Sequence, residues 1–295
     1  MKNTTIVNLD PRYTPFGEGI FFKSFKFSDG TWFIKFDEDL LTSLSAIITF
    51  RGNDIMLLVS AVNALNNMGV EDIALSMPYA LGARQDRIMT SGEVFGAKVY
   101  ASIINSLNFS AVNYYDPHSD VIVALTNNAV VDNNHDFIGI VVSYLNLEDV
   151  TLISPDAGAQ KKIYSLAQHL SNNYTVNIVK ADKVRDVATG KISSTKVYAD
   201  NLQGKPCLIV DDICDGGTTF IKLAEELRNV HKADEIYLAV SHGIFSKGVI
   251  PIFKSGISKI FTTASIDHSA IGNEIKDTEY RESLVEVSFN STKQS

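Results

Sequence analysis

The sequence predicts an α/β protein of two domains, each built around a parallel sheet flanked by helices. Short apolar runs typical of buried strands alternate with longer segments whose apolar residues recur at helical spacing. The polar run 132–135 interrupts this alternation, which then resumes. At 295 residues, the chain is also longer than one hydrophobic core usually supports. We therefore place the domains at 1–134 and 135–295, with a polar tail from about residue 290.

The first domain is predicted to start with a strand at 6–9 and a loop rich in proline and glycine to about residue 19. Aromatic residues across 21–36, interrupted by Ser28-Asp29-Gly30, indicate a hairpin. The remaining elements are strands at 46–50, 73–76 and 111–115, helices at 53–67 and 92–107, and a charged loop at 78–91. This βαβαβ order favours parallel strands.

The second domain repeats the pattern of strand and helix. Strands are predicted at 150–153, 176–181, 208–210, 236–240, 259–264 and 284–289, and helices at 137–145, up to about 170, from 220, and at 247–255. The stretch 182–200 is polar and rich in lysine, with weak periodicity. A loop of that length in a compact domain is usually functional or mobile.

The most distinctive stretch is 207–220, an apolar strand that ends in Asp211 and Asp212 and leads into a loop and a helix. Glycines in the loop let the backbone approach a ligand, and free N–H groups at a helix start suit a phosphate. The two acids suit sugar hydroxyls or Mg²⁺ instead. We therefore predict a sugar-phosphate site, with the ribose hydroxyls near the acids. The alternative is an ordinary strand–turn–helix with solvated acids. The loop residues are Asp215, Gly216, Gly217, Thr218 and Thr219.

Other acids and histidines also follow predicted strands directly, namely Asp116, His118, Asp156 and His242. Parallel strands end at one edge of a sheet, so such residues converge there. His118 with Asp116 is interpreted as a direct or water-mediated contact to Mg²⁺, or as a structural feature of the strand end.

Basic residues occur in two of the predicted loops. Arg84 and Arg87 suit a polyphosphate because guanidinium groups bind phosphate oxygens in pairs, although a solvated loop would have the same composition. Lys183 and Arg185 would suit closure over a bound phosphate and neutralisation of charge, with a solvated basic loop as the alternative.

Composition excludes several classes of partner. The net charge of −8 argues against broad binding to nucleic acid or anionic membranes. The two cysteines, Cys207 and Cys214, do not form a disulfide framework and suit a reducing compartment. The N-terminus has no apolar leader, and no apolar run reaches membrane-spanning length, so we expect a cytoplasmic protein.

Taken together, these segments resemble the ribose-phosphate pyrophosphokinase family, which makes phosphoribosyl pyrophosphate (PRPP). The similarity spans about 27–289 and rests on six motifs in family order. These are Pro78-Tyr79 through Ala83-Arg84-Gln85-Asp86-Arg87, Ser91-Gly92-Glu93 with Ala97-Lys98, Asp116-Pro117-His118, Ser154-Pro155-Asp156-Ala157-Gly158, Asp211-Asp212-Ile213-Cys214-Asp215, and Ser241-His242-Gly243-Ile244-Phe245-Ser246.

The resemblance implies two similar domains of phosphoribosyltransferase type, the first on the ATP side and the second on the ribose 5-phosphate side. It also implies a Mg²⁺-dependent transfer of the β,γ-diphosphoryl group of ATP to the 1-hydroxyl of ribose 5-phosphate, giving AMP and PRPP. The substrates are then the partners, with self-association as a dimer or hexamer, and no nucleic acid or membrane.

The resemblance further implies roles for individual residues. ATP would contact Phe27, Asp29, Arg84, Gln85, Asp86, Arg87 and His118; ribose 5-phosphate would contact Asp211, Asp212 and the loop of Asp215, Gly216, Gly217, Thr218 and Thr219; the metal would contact His118 and Asp156; and Lys183 with Arg185 would be catalytic. The chain departs from the usual family pattern at Thr31, Pro117, Gly216 and Thr218.

Two other functions are compatible with parts of this pattern. A non-catalytic regulatory relative would keep the fold, but such relatives tend to lose catalytic residues, which this chain retains. A phosphoribosyltransferase that consumes PRPP would share the loop at 215–219, but neither the duplicated plan nor the Arg84-Gln85 loop.

Overall fold

The computed structural model describes residues 4–9, 22–37, 44–185 and 192–287. The chain forms two compact units that divide between Asn133 and Asn134. The predicted loop at 11–19 and the predicted polar tail lie outside the described residues. Within the described ranges, no helix is long and apolar enough to cross a membrane.

The N-terminal unit contains a five-stranded parallel sheet and a separate hairpin. The sheet order is β1 (Thr5–Asn8), β4 (Ser45–Thr49), β5 (Asp72–Met77), β6 (Val112–Tyr115), β7 (Ala129–Asp132), and the hairpin pairs β2 (Phe22–Lys26) with β3 (Trp32–Phe36). The helices are α1 (Ile55–Asn67), α2 (Gly96–Ser106) and α3 (Asp120–Leu125).

The C-terminal unit is built on a seven-stranded sheet. Its order is β10 (Ile192–Tyr198), β9 (Thr175–Arg185), β8 (Asp149–Ser154), β11 (Cys207–Cys214), β12 (Ile236–Gly243), β13 (Lys259–Thr263), β14 (Leu284–Val287), and only β10 is antiparallel to its neighbour. The helices are α4 (His135–Tyr144), α5 (Gln160–Leu170), α6 (Thr218–Asn229), α7 (Ile250–Lys254) and α8 (Ser269–Ile275).

Strand β11 lies at the centre of this sheet and is buried on both faces. Cys207 and Ile209 contribute to one apolar cluster, which includes Phe220 of α6, while Leu208 and Val210 contribute to a cluster with α4 and α5. Alternating residues of a strand point to opposite faces, so an unbroken apolar run fits a sheet with helices on both sides. The predicted α/β fold class is therefore confirmed.

The predicted loop at 182–200 is wrong over most of its length. Strand β9 continues to Arg185, and β10 returns antiparallel to it, with Val197 opposite Ala181; residues 186–191 lie outside the described ranges. Strand β10 is the edge of the sheet, and its described side chains alternate, with Thr195 and Val197 buried and Lys196 and Tyr198 exposed. This alternation covers only four described residues, which is too short to indicate a strand from the sequence.

Several shorter elements also differ from prediction. Strand β11 extends four residues beyond the predicted end at 210, α2 begins at Gly96 rather than at 92, and α7 covers only Ile250–Lys254. Sequence periodicity missed α3, β7 and α8, each seven residues or shorter. Strand β14 covers Leu284–Val287, and the rest of the predicted strand, 288–289, lies outside the described residues.

Candidate active site

Two adjacent acids, Asp211 and Asp212, lie near the carboxyl end of β11. Pairing with β8 stops at Ile209, whereas pairing with β12 continues to Cys214, so the acids lie where the sheet opens on one side. Asp211 is half-buried and its Oδ1 accepts the backbone N–H of Asp212 at 2.9 Å. This geometry fixes two carboxylates at the ligand-binding edge of an open α/β sheet.

Asp212 is only 8% exposed, and a lysine partly compensates its charge. Lys162 Nζ of α5 donates to Asp212 Oδ2 at 3.2 Å. A buried carboxylate needs such a partner because it has lost water. Lys162 was not singled out from the sequence, since it lies 50 residues from Asp212 and no local pattern connects them.

The loop after β11 delivers the start of helix α6 to the same edge. Gly217 has a φ of +73°, which favours glycine, and it is the residue immediately before the helix. Thr218 and Thr219 are therefore the first two helical residues, and backbone N–H groups in a first helical turn have no acceptor within the helix. The positive end of the helix dipole and these N–H groups suit an anion.

The segment 244–248, which follows β12, supports this loop. Ile244 and Phe245 donate backbone N–H groups to Cys214 O at 2.8 and 3.0 Å. Ser246 donates its N–H to Asp215 O at 3.1 Å, and its hydroxyl to Asp215 Oδ1. Asp215 thus connects the loop after β11 to the segment 244–248 through its two hydrogen bonds with Ser246.

His242, predicted to converge on this edge, is enclosed in the structure. Its side chain is 1% exposed, and Nδ1 lies 2.8 Å from Ser265 Oγ. Close to it, His268 bridges Gly243 O at 2.8 Å and Glu286 Oε2 at 2.7 Å. These histidines connect the end of β12 with the segment after β13 and with β14, and so help to fix this edge of the sheet.

Asp156 follows β8, next to β11 in the sheet. Its Oδ1 accepts the N–H of Ala159, the residue immediately before α5, at 3.1 Å. Its backbone carbonyl accepts the hydroxyl of Ser154 at 3.0 Å. The carboxylate predicted to contact a metal therefore also has a structural task, and it remains half-buried beside the ligand-binding edge.

In the N-terminal unit, the loop 84–87 lies beside the segment that follows β6. Arg87 donates to both oxygens of Asp86, at 2.8 and 3.0 Å. This bond lowers the pKa of Asp86, and the Ser119 hydroxyl and the His118 charge lower it further. The structure thus brings Asp86 close to His118, two residues that the sequence analysis placed together on the ATP side.

Two residues predicted at the same strand end, Asp116 and His118, differ in exposure. His118 is exposed, whereas Asp116 is 3% exposed, has a φ of +36° and donates its N–H to Asp132 O. Asp116 is therefore part of the turn rather than a solvent-facing ligand. Arg84 is exposed, and the side chain of Gln85 packs against Gly96 at the start of α2.

The hairpin of β2 and β3 carries a cluster of aromatic rings. Phe25 stacks on Phe33 at 4.7 Å between ring centroids, and Phe27, which is 51% exposed, meets Phe25 edge-on at 5.0 Å. Asp29 accepts the N–H and hydroxyl of Thr31 at 2.9 and 2.7 Å, which lowers the pKa of Asp29. Thr31 thus completes the turn that presents Phe27.

A groove of about 550 Å³ lies elsewhere in the C-terminal unit, and its lining includes Glu148, Tyr174 and Thr175. These residues adjoin the amino ends of β8 and β9, opposite the edge that carries the acids and the α6 loop. The groove does not contain the predicted chemistry, so we place the candidate site at the carboxyl edge.

Comparison with known proteins gives the family. The phosphoribosyl transferase domain family matches residues 123–249, which include the acids and the α6 loop. A ribose-phosphate pyrophosphokinase of Mycoplasma pneumoniae is 29% identical over 263 residues, covering 86% of this chain and 76% of that protein. The ribose-phosphate pyrophosphokinase of Mycoplasmopsis pulmonis is 31% identical over 226 residues, covering 76% of this chain and 68% of that protein.

The chain belongs to the ribose-phosphate pyrophosphokinase family. It is thus a member of an enzyme family, as the sequence motifs predicted. A solved structure, phosphoribosylpyrophosphate synthetase from Mycobacterium smegmatis, matches 97% of this chain and 94% of its own, with a TM-score of 0.73 and 19% identity. At that identity, the likeness supports the fold alone.

Mg²⁺ is implied for this family by the sequence resemblance. In the described parts of the chain, no three His, Cys, Asp or Glu side chains come together as a metal site. Protein-bound Mg²⁺ usually keeps several waters and takes one or two carboxylates plus phosphate oxygens of the substrate. The carboxylates of Asp156, Asp211 and Asp212 fit an ion that arrives with phosphates, and do not form a complete cage.

The predicted residues of this pyrophosphokinase-family chain fall into two groups. Asp156, Asp211, Asp212 and the loop 215–219 share the carboxyl edge of the C-terminal sheet, together with Lys162. Arg84, Gln85, Asp86, Arg87 and His118, with the hairpin residues Phe27 and Asp29, belong to the N-terminal unit. Lys183 and Arg185 lie in strand β9, where only the backbone is described.

Proposed function

We propose that this protein transfers the β,γ-diphosphoryl group of ATP to the 1-hydroxyl of ribose 5-phosphate, producing AMP and PRPP. One observation carries the proposal beyond family membership. An anion-binding helix start and a pair of carboxylates lie next to each other at one sheet edge. A ligand that satisfies both must carry a phosphate and hydroxyl groups, as ribose 5-phosphate does.

The acceptor substrate would bind to the C-terminal unit. The N–H groups and hydroxyls of Thr218 and Thr219 would donate to the 5-phosphate, where Gly216 and Gly217 let the backbone come close. Asp211 and Asp212 would accept hydrogen bonds from ribose hydroxyls. Lys162 would keep Asp212 ionised and oriented for that contact.

The donor substrate would bind to residues of the N-terminal unit. The exposed guanidinium of Arg84, with Gln85, would contact the phosphates, and Asp86 would hold Arg87 in place through their two hydrogen bonds. The exposed ring of Phe27, supported by neighbouring aromatic side chains, would stack on the adenine of ATP bound to a neighbouring subunit, with Asp29 shaping the turn. His118 would also contact ATP, and we propose that it contacts the metal as well.

In the proposed reaction, the oxygen of the 1-hydroxyl forms a bond to the β-phosphorus. The bond between that phosphorus and the oxygen bridging to the α-phosphorus breaks, so AMP leaves with the bridging oxygen, and the hydroxyl proton passes to solvent. Such transfer depends on alignment and charge neutralisation rather than on a protein nucleophile. Lys183 and Arg185 would neutralise charge that develops on the transferred group. Mg²⁺ that arrives with the phosphates would supply further neutralisation of charge, and His118 of the N-terminal unit and Asp156 of the C-terminal unit are the residues we propose as metal contacts, each within its own unit.

The decisive experiment follows both products by phosphorus NMR and chromatography after incubation with ATP, ribose 5-phosphate and Mg²⁺. We expect AMP and PRPP in equal amounts, and none when ribose replaces ribose 5-phosphate. Formation of ADP and a phosphorylated sugar would instead indicate an ordinary kinase. Nucleotide binding without turnover would indicate a non-catalytic regulatory relative, and release of diphosphate from PRPP and a free base would indicate a phosphoribosyltransferase.

The variant Asp211→Asn with Asp212→Asn gives a matched test of the acceptor site. Both side chains keep their size and lose their charge, so we expect weaker binding of ribose 5-phosphate by calorimetry. Unchanged binding would assign these acids a structural role only. Self-association, proposed as a dimer or hexamer, is checked by analytical ultracentrifugation, and the proposed cytoplasmic location by cell fractionation.

A further inference from the structure

Lys247 lies across the loop that precedes helix α6. Its segment follows β12, and its aliphatic stem passes over Gly216: a Cβ built on Gly216 would lie 3.3 Å from Lys247 Cδ and 3.4 Å from Cε. Contacts this short are tighter than ordinary packing, so a side chain at position 216 would compete with the lysine for space. The two residues therefore form a matched pair, although they are 31 positions apart.

The backbone does not explain the glycine at position 216. Gly217 has a positive φ and needs to be glycine, whereas Gly216 is absent from the residues with positive φ. What Gly216 provides is the absence of a side chain beneath the stem of Lys247. The loop therefore has no side-chain hydrogen-bond donor at position 216, and the Lys247 side chain passes over that position instead.

The position of Lys247 is held by its neighbours rather than by its own charge. Ser246 is bonded to Asp215 through both its backbone N–H and its hydroxyl, and Gly248 donates its N–H to Phe245 O at 2.8 Å. The Lys247 side chain is exposed, and its ammonium group forms no hydrogen bond or ion pair with any residue that the structure describes. A lysine fixed at its stem, with its charge available, is suited to an anionic ligand.

We infer that Lys247 binds the 5-phosphate of ribose 5-phosphate, together with the backbone N–H groups of the loop. This inference rests on the proposed function, and it adds a residue that none of the sequence motifs contains. The helix start supplies partial positive charge, and Lys247 supplies a full one, which a phosphate dianion needs for tight binding. Lys247 is thus a binding residue for the acceptor substrate.

The test compares Lys247→Met, which keeps the stem and removes the charge, with Lys232→Met. Lys232 follows the other end of α6, where its ammonium donates to Asn229 O. Calorimetry at low ionic strength should show binding of ribose 5-phosphate weakened roughly 10- to 100-fold by Lys247→Met and by less than twofold by Lys232→Met. Lys247→Arg, which restores the charge, should recover most of the affinity.

The outcomes separate this inference from the proposed function. If the unaltered protein binds ribose 5-phosphate and Lys247→Met binds it within twofold, the role of Lys247 is refuted and the function stands. If the unaltered protein does not bind ribose 5-phosphate at all, the acceptor assignment itself fails. Equal urea midpoints for the variants and the parent exclude an effect through folding.

A second measurement uses the pairing with Gly216. Gly216→Ala should displace the lysine stem and weaken binding several-fold. In the Lys247→Ala background only the loss that comes from the loop backbone should remain, so the effect of Gly216→Ala should be clearly smaller. Equal losses in both backgrounds would show that the two residues act independently, and would overturn the matched-pair argument.

Discussion

We expect a methyl group added at Gly217, in the loop of the candidate site, to destabilise the fold strongly. Its φ of +73° lies in the left-handed region, and it immediately precedes helix α6. A Cβ built there would lie 2.8 Å from Ile252 Cγ1 and 2.9 Å from Ile252 Cδ1. Gly217→Ala therefore combines backbone strain with a clash against a residue of α7 that is 1% exposed.

The two costs can be estimated separately. A side chain in the left-handed region costs about 1–2 kcal/mol. Overpacking a buried contact such as that with Ile252 costs about 1–3 kcal/mol. We therefore expect Gly217→Ala to lower the free energy of unfolding by about 2–5 kcal/mol.

The chain contains a control in which only the first cost applies. Gly204 has a φ of +71°, and a Cβ built on it would meet nothing within 4 Å. Gly204→Ala should therefore cost about 1–2 kcal/mol in the same assay, urea unfolding followed by circular dichroism. Removing the obstacle with Ile252→Ala should reduce the additional cost of Gly217→Ala to the value measured at Gly204.

Two results would refute this reasoning. Equal losses from Gly217→Ala and Gly204→Ala would mean that the loop yields around the new methyl group and that the clash has no energetic weight. An undiminished cost of Gly217→Ala in the Ile252→Ala background would mean that the penalty arises from the backbone alone.

Three further predictions concern the Lys162–Asp212 ion pair, the proposed catalytic residues Lys183 and Arg185, and the buried thiol of Cys207. Lys162→Met should destabilise the fold by about 1–2 kcal/mol, since Asp212 loses a partner, and clearly less in an Asp212→Asn background; additive urea-unfolding losses would contradict the pairing. Lys183→Ala with Arg185→Ala should lower kcat roughly 100-fold or more and leave ribose 5-phosphate binding within about twofold, whereas a matching loss of affinity in calorimetry would exclude a transition-state role. Burial raises the pKa of Cys207 to about 12, so the unfolded chain, with an ordinary thiol near 8.5, releases its proton first. Stability should fall as pH rises between these values, by at most about 1.4 kcal/mol per pH unit, and Cys207→Ala should remove that part of the slope in urea unfolding at pH 8 and 10.

Much of the fold was predictable because the interior strands carry a local signal. Strand β11 is an apolar run with helices on both faces, and the apolar residues of α6 recur at helical spacing, so each pattern reflects its own burial. Strand β10 and the end of β9 were missed because the polar, lysine-rich stretch 182–200 shows only weak periodicity. Thr195 and Val197 of β10 are buried, but two buried positions are too short a pattern to indicate a strand from the sequence.

For the candidate site too, residues that lie close together in the sequence were predictable, and residues that meet only in the folded chain were not. The α6 loop was predictable because glycines, threonines and acids occur together within a few residues of a strand end. Lys162 and Lys247 were not, because each reaches the site from another helix or loop, and only the folded chain brings them next to Asp212 and Gly216. Asp116 shows what position after a strand leaves open: the sequence allowed either a magnesium contact or a structural role, and in the structure the residue is 3% exposed with a φ of +36°.

The arrangement at the carboxyl edge also limits what the ligand can be. The start of α6 attracts negative charge, and Asp211 and Asp212 repel it, although they lie within seven residues of the helix. A free polyphosphate would satisfy the helix and be repelled by the acids, and a bare cation would do the reverse. A compact ligand with a phosphate at one end and hydroxyl groups at the other satisfies both, since a hydroxyl donates to a carboxylate without bringing charge. In our proposal the positive charge of Lys247, whose stem passes over Gly216, adds to the attraction for the phosphate end of the ligand, while Asp211 and Asp212 would accept hydrogen bonds from the sugar hydroxyls.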